Sequence, residues 1–376
     1  MGWLHPTGVD ADPERAVTEF QHAVARDSSF ARAYTGLGRA VWLTAGRSDS
    51  LVAVEAAGHL RRAAALDTAS AWPLVYLGVV YNRWGESSEA ISAYEEALVR
   101  EPGHSQALIR LSYLHQQLGN DEAATAAFTR AVEARPRNVI AITSLGAHHY
   151  YQARYAEAAT YFRRQIEIAP GHHRGYSNLG AVLFDMEDYD EAQLMLERSI
   201  ALKPTAMAYS NLGTLVYYKH RYGDAVDLFR RSLALADDNY TVWGYLADSL
   251  HWASAAPESS QAAYRRAVSL AEAFLETYPD DPYLLADLAS YNATMGETDR
   301  ALALLARLEA QPDLTAETYF SAADAYERMG RRDLALDWLE RACAADLSLD
   351  RIEYYPGLRE LRMHPRYRDM VARRGG

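Results

Sequence analysis

Residues 107–138 read ALIRLSYLHQQLGNDEAATAAFTRAVEARPRN, and the order of small and bulky side chains in this stretch decides the fold. Counted as a unit starting at Ser105, it has Leu108 and Leu111 at positions 4 and 7, Ser112 at 8, Ala124 at 20, Phe128 at 24 and Pro136 at 32. The register returns every 34 residues, most visibly in Ala90, Ala124, Ala158 and Ala192. Position 8 reads Gly38, Gly78, Ser112, Gly146, Gly180, Gly213, Ala247, Ala289 and Ala323, while position 20 is alanine throughout except for Ser260. Small residues at one point on each of two helices let them approach at the short end of the usual ~8–10 Å range. Position 24 adds bulk beside them, with Phe20, Leu60, Tyr94, Phe128, Phe162, Leu196, Phe229, Tyr264, Leu305 and Leu339. A proline at position 32 (Pro102, Pro136, Pro170, Pro204, Pro279) removes a backbone donor and ends the second helix of the unit.

Composition sets the outer limits. With 49% hydrophobic and 23% charged residues and a mean hydropathy of -0.28, the chain is globular rather than disordered. No run of ~18 apolar residues occurs, so no membrane insertion is expected. A single cysteine, Cys343, excludes a disulfide framework and a cysteine-rich metal site. The net charge of -12 argues against a nucleic-acid partner. Of the 38 basic residues only Lys203 and Lys219 are lysine, a bias that beside abundant alanine reads as genome composition.

The register resembles that of the tetratricopeptide repeat family, onto whose pattern residues 107–138 fall almost without gaps. The resemblance covers about residues 11–349 and implies an all-α fold, a right-handed superhelical α-solenoid of antiparallel helix pairs with no break into separate domains. It divides the chain into an irregular cap and half repeat at 1–30, nine units at 31–70, 71–104, 105–138, 139–172, 173–205, 206–239, 240–281, 282–315 and 316–349, and a capping helix and tail at 350–376. In that tail Leu358, Leu361, Tyr367 and Met370 are expected to face inward, and its arginines to offset a helix dipole and solvate the cap. A first unit that lacks its first helix suggests a chain cut from something longer, or a cap built around Trp3 and Leu4. The insertion AGRSDSLVAV, the lengthened helix SLAEAFLETY and the ending PGLRELRMHPRYRDMV resemble features of arrays that follow serine/threonine kinase, cyclase or DNA-binding domains of bacterial signalling proteins and transcriptional regulators. That resemblance implies, as an alternative function, a sensory or docking region whose catalytic domain lies elsewhere. It leaves the compartment as cytoplasm, or the far side of a membrane if the chain comes from an anchored protein.

A search for chemistry finds no phosphate loop, zinc-protease helix, nucleophile elbow or kinase signature. His115 and His149 fall on equivalent turns of adjacent units beside His148, but no third ligand and supporting shell accompany them, so packed histidines are favoured over a metal site. Neither enzyme activity nor a cofactor is expected.

The first helix of each unit lines the concave face, so positions 2, 5, 6, 9, 12 and 13 form a groove. In units one to five these positions carry Arg32, Arg39, Arg83, Arg110 and Arg174 against Asp185 alone. In units seven to nine they carry Asp248, Asp287, Glu317, Asp324 and Glu327 against Arg328. Between the two runs an aromatic and amide strip of Tyr113, Gln117, Tyr150, Tyr151, Asn178, Phe184, Asn211, Tyr217, Tyr218, Tyr245 and Trp252 suits an extended peptide, although the repeat pattern itself favours some of these residues. The expected function is a protein-interaction scaffold holding an extended segment, acidic where it meets Arg83, Arg110 and Arg174. The oligomeric state is left open.

Overall fold

The computed structural model describes residues 12–44 and 50–374. The expected Trp3–Leu4 cap and the first half of the 45–54 insertion lie outside them. Every element among the described residues is helical. By contacts the chain falls into two compact bodies, one ending at Pro170 and one starting at Gly171. The first contains α1 (Pro13–Arg26), α2 (Ala31–Thr44), α3 (Ser50–Leu66), α4 (Trp72–Trp84), α5 (Ser87–Arg100), α6 (Ser105–Gln117), α7 (Asp121–Ala134), α8 (Val139–Tyr151) and α9 (Tyr155–Ile168). The second contains α10 (His173–Asp185), α11 (Tyr189–Leu202), α12 (Ala206–Tyr218), α13 (Tyr222–Leu235), α14 (Tyr240–Trp252), α15 (Pro257–Thr277), α16 (Pro282–Thr294), α17 (Thr298–Glu309), α18 (Ala316–Arg328), α19 (Arg332–Ala344), α20 (Leu349–Tyr354) and α21 (Pro365–Arg374), with short 3-10 turns at Pro356–Leu358 and Leu361–Met363.

Within each pair the two helices pack along their length, and most pairs also pack on the next pair in the same body. In addition the first helices of successive pairs touch one another, α2 to α4 to α6 to α8 in one body, and α10 to α12 to α14 and α16 to α18 in the other. The second helices do not do so to the same extent. The first helices therefore form the inner wall of each body.

Close packing within a pair follows from the small residue at position 8. An ideal Cβ on Gly78 would lie 2.5 Å from Tyr94 Cε1, and on Gly213 2.7 Å from Phe229 Cε1. The ring at position 24 thus lies directly over the bare backbone at position 8. Tyr94, Phe128, Phe229 and Tyr264 are at most 1% exposed in consequence.

Helix ends are set by side chains in the turns. Asn138 Oδ1 accepts from the amides of Ile140 and Ala141, and Asp281 Oδ1 accepts from Leu284 ahead of Pro282 at the first helical turn. The turn inside each pair needs one left-handed residue. Gly85, Gly119, Gly296 and Gly330 supply it at φ of 72–93°, whereas Ala153, Glu187, His220 and Ser254 hold the same position at φ of 55–63° despite their Cβ atoms.

Candidate functional site

The inner wall of the first body is basic and open. Arg83 is exposed, with its guanidinium 5.7 Å from the centroid of the Trp42 ring. Arg110 is half-buried, and its Nε is buried with no hydrogen-bond partner. On the next turn of α6 Tyr113 is 45% exposed, held by an edge contact with Phe128 and by a hydroxyl 2.7 Å from Ser144 Oγ on α8. Tyr150 packs between Tyr151 and Tyr155, which leaves Tyr151 76% exposed. Gln117 is exposed. The ion pairs Arg100–Glu96 and Arg154–Glu157 involve second helices or turns, and neither draws on Arg83 or Arg110.

His148 and His149 belong to the core of this body. His148 Nε2 lies 2.8 Å from Thr125 Oγ1, and the His149 ring stacks 5.5 Å from Tyr161. Burial holds both imidazoles below the usual histidine range. His115 is half-buried. Among the described residues no group of three His, Cys, Asp or Glu side chains is placed to hold a metal ion.

The second body's inner wall is occupied by its own chain. After α19 the segment from Ser348 to Tyr355 turns back across the first helices, and the Ser348 hydroxyl donates to Glu187 Oε1, 161 residues earlier. Tyr354 meets Tyr189 edge-on. The Arg351 guanidinium sits 4.7 Å from the Tyr218 ring centroid and 5.8 Å from that of Phe184, with Glu317 3.4 Å away. Tyr355 packs edge-on against Phe320 and beside Tyr218. We call this segment the strap. It covers Phe184 and Tyr218, which sequence alone placed in an open groove. Tyr217 is fully buried against Tyr218, Tyr222 and Tyr245, and burial pushes the Tyr217, Tyr218 and Tyr245 hydroxyls up. Arg174 is exposed, Asn178 and Asn211 are half-buried, and Trp252 is half-buried beside Tyr222 and His251.

Arg328 fastens the strap. Its Nη1 donates to Asp248 Oδ1 at 3.0 Å, to Thr294 Oγ1 at 2.6 Å and to the Tyr264 hydroxyl at 3.2 Å. Its Nε donates to Asp324 Oδ2 at 2.6 Å and its Nη2 to the Tyr355 hydroxyl at 3.1 Å. The guanidinium thus joins α14, α15, α16, α18 and the strap, and the acidic run of units seven to nine is largely committed to internal cations.

Of the tail arginines expected to solvate a cap, Arg359, Arg368 and Arg373 are exposed, whereas two others are paired inside the body. Arg362 donates to the carbonyls of Ile352 and Tyr355, and Arg366 pairs with Asp337 and Glu340. Leu358, Leu361, Tyr367 and Met370 are buried. The hint of a strap lay in two features the repeat register does not explain. These are the cluster Arg351, Tyr354 and Tyr355 after the last unit, and the uncompensated acids that face it.

Family models of the tetratricopeptide repeat match residues 77–139, 139–205, 176–238 and 316–348, together about half of the chain. No curated protein matches it in sequence. Among solved structures it is similar to Pseudomonas aeruginosa pilF, at 20% identity over 60% of this chain and 98% of that one, with a TM-score of 0.48. It is similar to yeast Tom70 at 17% identity over 81% of this chain and 61% of that one, with a TM-score of 0.49. It is also similar to YrrB, described as a TPR protein with an unusual peptide-binding site, at 22% identity over 49% of this chain and 92% of that one, with a TM-score of 0.39.

Proposed function

The chain belongs to the tetratricopeptide repeat family, and on that premise we propose that it is a protein-interaction scaffold whose first body holds an extended segment with acidic side chains against α4, α6 and α8. The observation that carries this reading is the pairing of Arg83 and Arg110, which meet no carboxylate among the described residues, with outward-facing Tyr113 and Tyr151 on one wall. Arginine offers a planar fork of donors to a carboxylate, and tyrosine offers rigid contact area at small entropic cost. Gln117 adds an amide that can pair with a peptide backbone. Arg174, Asn178 and Asn211 offer similar chemistry in the second body, but with Phe184 and Tyr218 covered by the strap we assign capture to the first.

The test is to select acidic peptides on the intact protein from a display library and to measure their affinity before and after Arg83→Glu with Arg110→Glu. The reading predicts at least about tenfold weaker binding, greater sensitivity of the wild-type complex to salt than of the variant's, and unchanged helix content. Equal affinity of the two proteins for every selected peptide would remove the proposal.

A further inference from the structure

Beneath the strap the second body holds a partly open cavity of about 220 Å³, with Tyr283 at its exposed rim. Its walls carry the rings of Tyr245 on α14 and of Tyr283 and Tyr291 on α16, and the strap borders it with Tyr355 and Arg351. Four carboxylates border it, those of Asp248, Asp287, Glu317 and Asp324. Arg328 satisfies Asp248 and one oxygen of Asp324, and Arg351 lies beside Glu317. One acceptor facing the cavity is left over. Asp287, half-buried, takes a hydrogen bond from Tyr240 and meets no cation among the described residues, whereas Asp324 Oδ1, which also has no donor, is buried away from the cavity against Gly357. Four carboxyls against two guanidiniums leave the site up to two negative charges in excess, fewer while burial keeps Asp287 and Asp324 protonated.

We propose that this cavity binds a small protonated aliphatic amine. The Asp287 carboxylate calls for N–H donors, which favours an ammonium over a quaternary nitrogen. Tyrosine faces attract a cation electrostatically, and more strongly where water is excluded. At ~30 Å³ per water the cavity has room for about seven non-hydrogen atoms, the size of a short diamine or of a lysine side chain. Burial supports the assignment, because it pushes the Asp287 carboxyl up to about 7 with no cation present to lower it. The groups that face Asp287 are Tyr240, Tyr245, Tyr291, Asp248, Asp281 and Asp324, all neutral or acidic. A bound ammonium therefore favours the carboxylate and displaces its proton.

Isothermal titration of the full chain with 1,4-diaminobutane tests the site, with 1,4-butanediol as its uncharged counterpart and Nα-acetyl-lysine amide as the peptide-like source. We expect saturable one-to-one binding of the diamine and none of the diol. Diamine affinity should fall about tenfold between about pH 8 and about pH 6, as the ionised fraction of Asp287 falls by that factor. Asp287→Asn should weaken binding about tenfold and remove most of that pH dependence. Comparable affinity for the lysine amide would point to a protein side chain as the ligand, and much weaker affinity to a free amine. If Asp287→Asn fails to fold, the diol comparison and the wild-type pH profile decide. The proposal is overturned if the diamine shows no saturable binding, if the diol binds equally, or if a folded Asp287→Asn binds as the wild type does. It does not rest on peptide capture by the first body, so Arg83→Glu with Arg110→Glu should leave diamine binding intact.

Discussion

Replacing Arg328 with methionine keeps much of the side-chain volume and removes the one cation shared by Asp248 and Asp324, leaving them only the neutral donors Tyr264 and Ser290. Asp248 and Asp324 are 7% and 2% exposed, and each would lose its only cation. Breaking a buried ion pair from one side costs about 3–5 kcal/mol, chiefly because the remaining charge has no water. Burial already raises the Asp324 carboxyl pKa against the opposing pull of Arg328, and the substitution removes that opposition. A carboxyl whose folded pKa lies above its unfolded value binds more protons when folded, so its contribution declines as pH rises from about 4 through the folded pKa. The variant's deficit should therefore be larger near pH 8 than near pH 5.5. Urea unfolding followed by far-UV circular dichroism at both pH values reads the difference. Adding Asp248→Asn with Asp324→Asn to the Arg328→Met chain should recover at least about 1 kcal/mol, because the orphaned charges are then gone. A deficit below about 1 kcal/mol, an equal deficit at both pH values, or no recovery would refute the account of the knot.

Other consequences follow from the same geometry. Ala153→Gly should stabilise the first body by about 0.5–1 kcal/mol, since relief of a left-handed Cβ outweighs the added chain entropy, and Gly119→Ala should cost a similar amount in thermal or urea melts. Phe128→Ala should cost about 3–5 kcal/mol, whereas Val99→Ala, at an 81% exposed site on α5, should stay within about 0.5 kcal/mol; similar losses from both would contradict the packing register. His148 is held neutral by burial, so its folded pKa is depressed and the stability it contributes is lost as pH falls below about 6.5. His148→Leu should flatten the urea midpoint between about pH 7 and about pH 5 relative to wild type, and an unchanged slope would place the titration elsewhere.

The repeat was legible because it rests on contacts between residues close in sequence. Gly78 and Tyr94 sit sixteen residues apart in one helix pair, and the same local geometry recurs with Gly213 and Phe229, so spacing alone encodes it. The left-handed position of the inner turn was harder to see. Only half of its eight occupants are glycine, and Ala153, Glu187, His220 and Ser254 carry no compositional mark. The candidate wall was legible as a set of positions, but its accessibility was not. Whether Tyr218 meets solvent depends on Arg351, 133 residues later, and the solenoid pattern ends before Arg351 begins.

The claim that the first body captures a ligand on its inner wall is tested most directly by where a bound peptide sits. A photo-cross-linking residue at position 113 or 151, with position 99 on α5 as the control, can be challenged with an acidic peptide selected on the intact protein. Cross-links at 113 and 151, competed away by unlabelled peptide and absent at 99, are the predicted result. Cross-linking at 99, or none at either tyrosine position while the peptide remains bound, would contradict it.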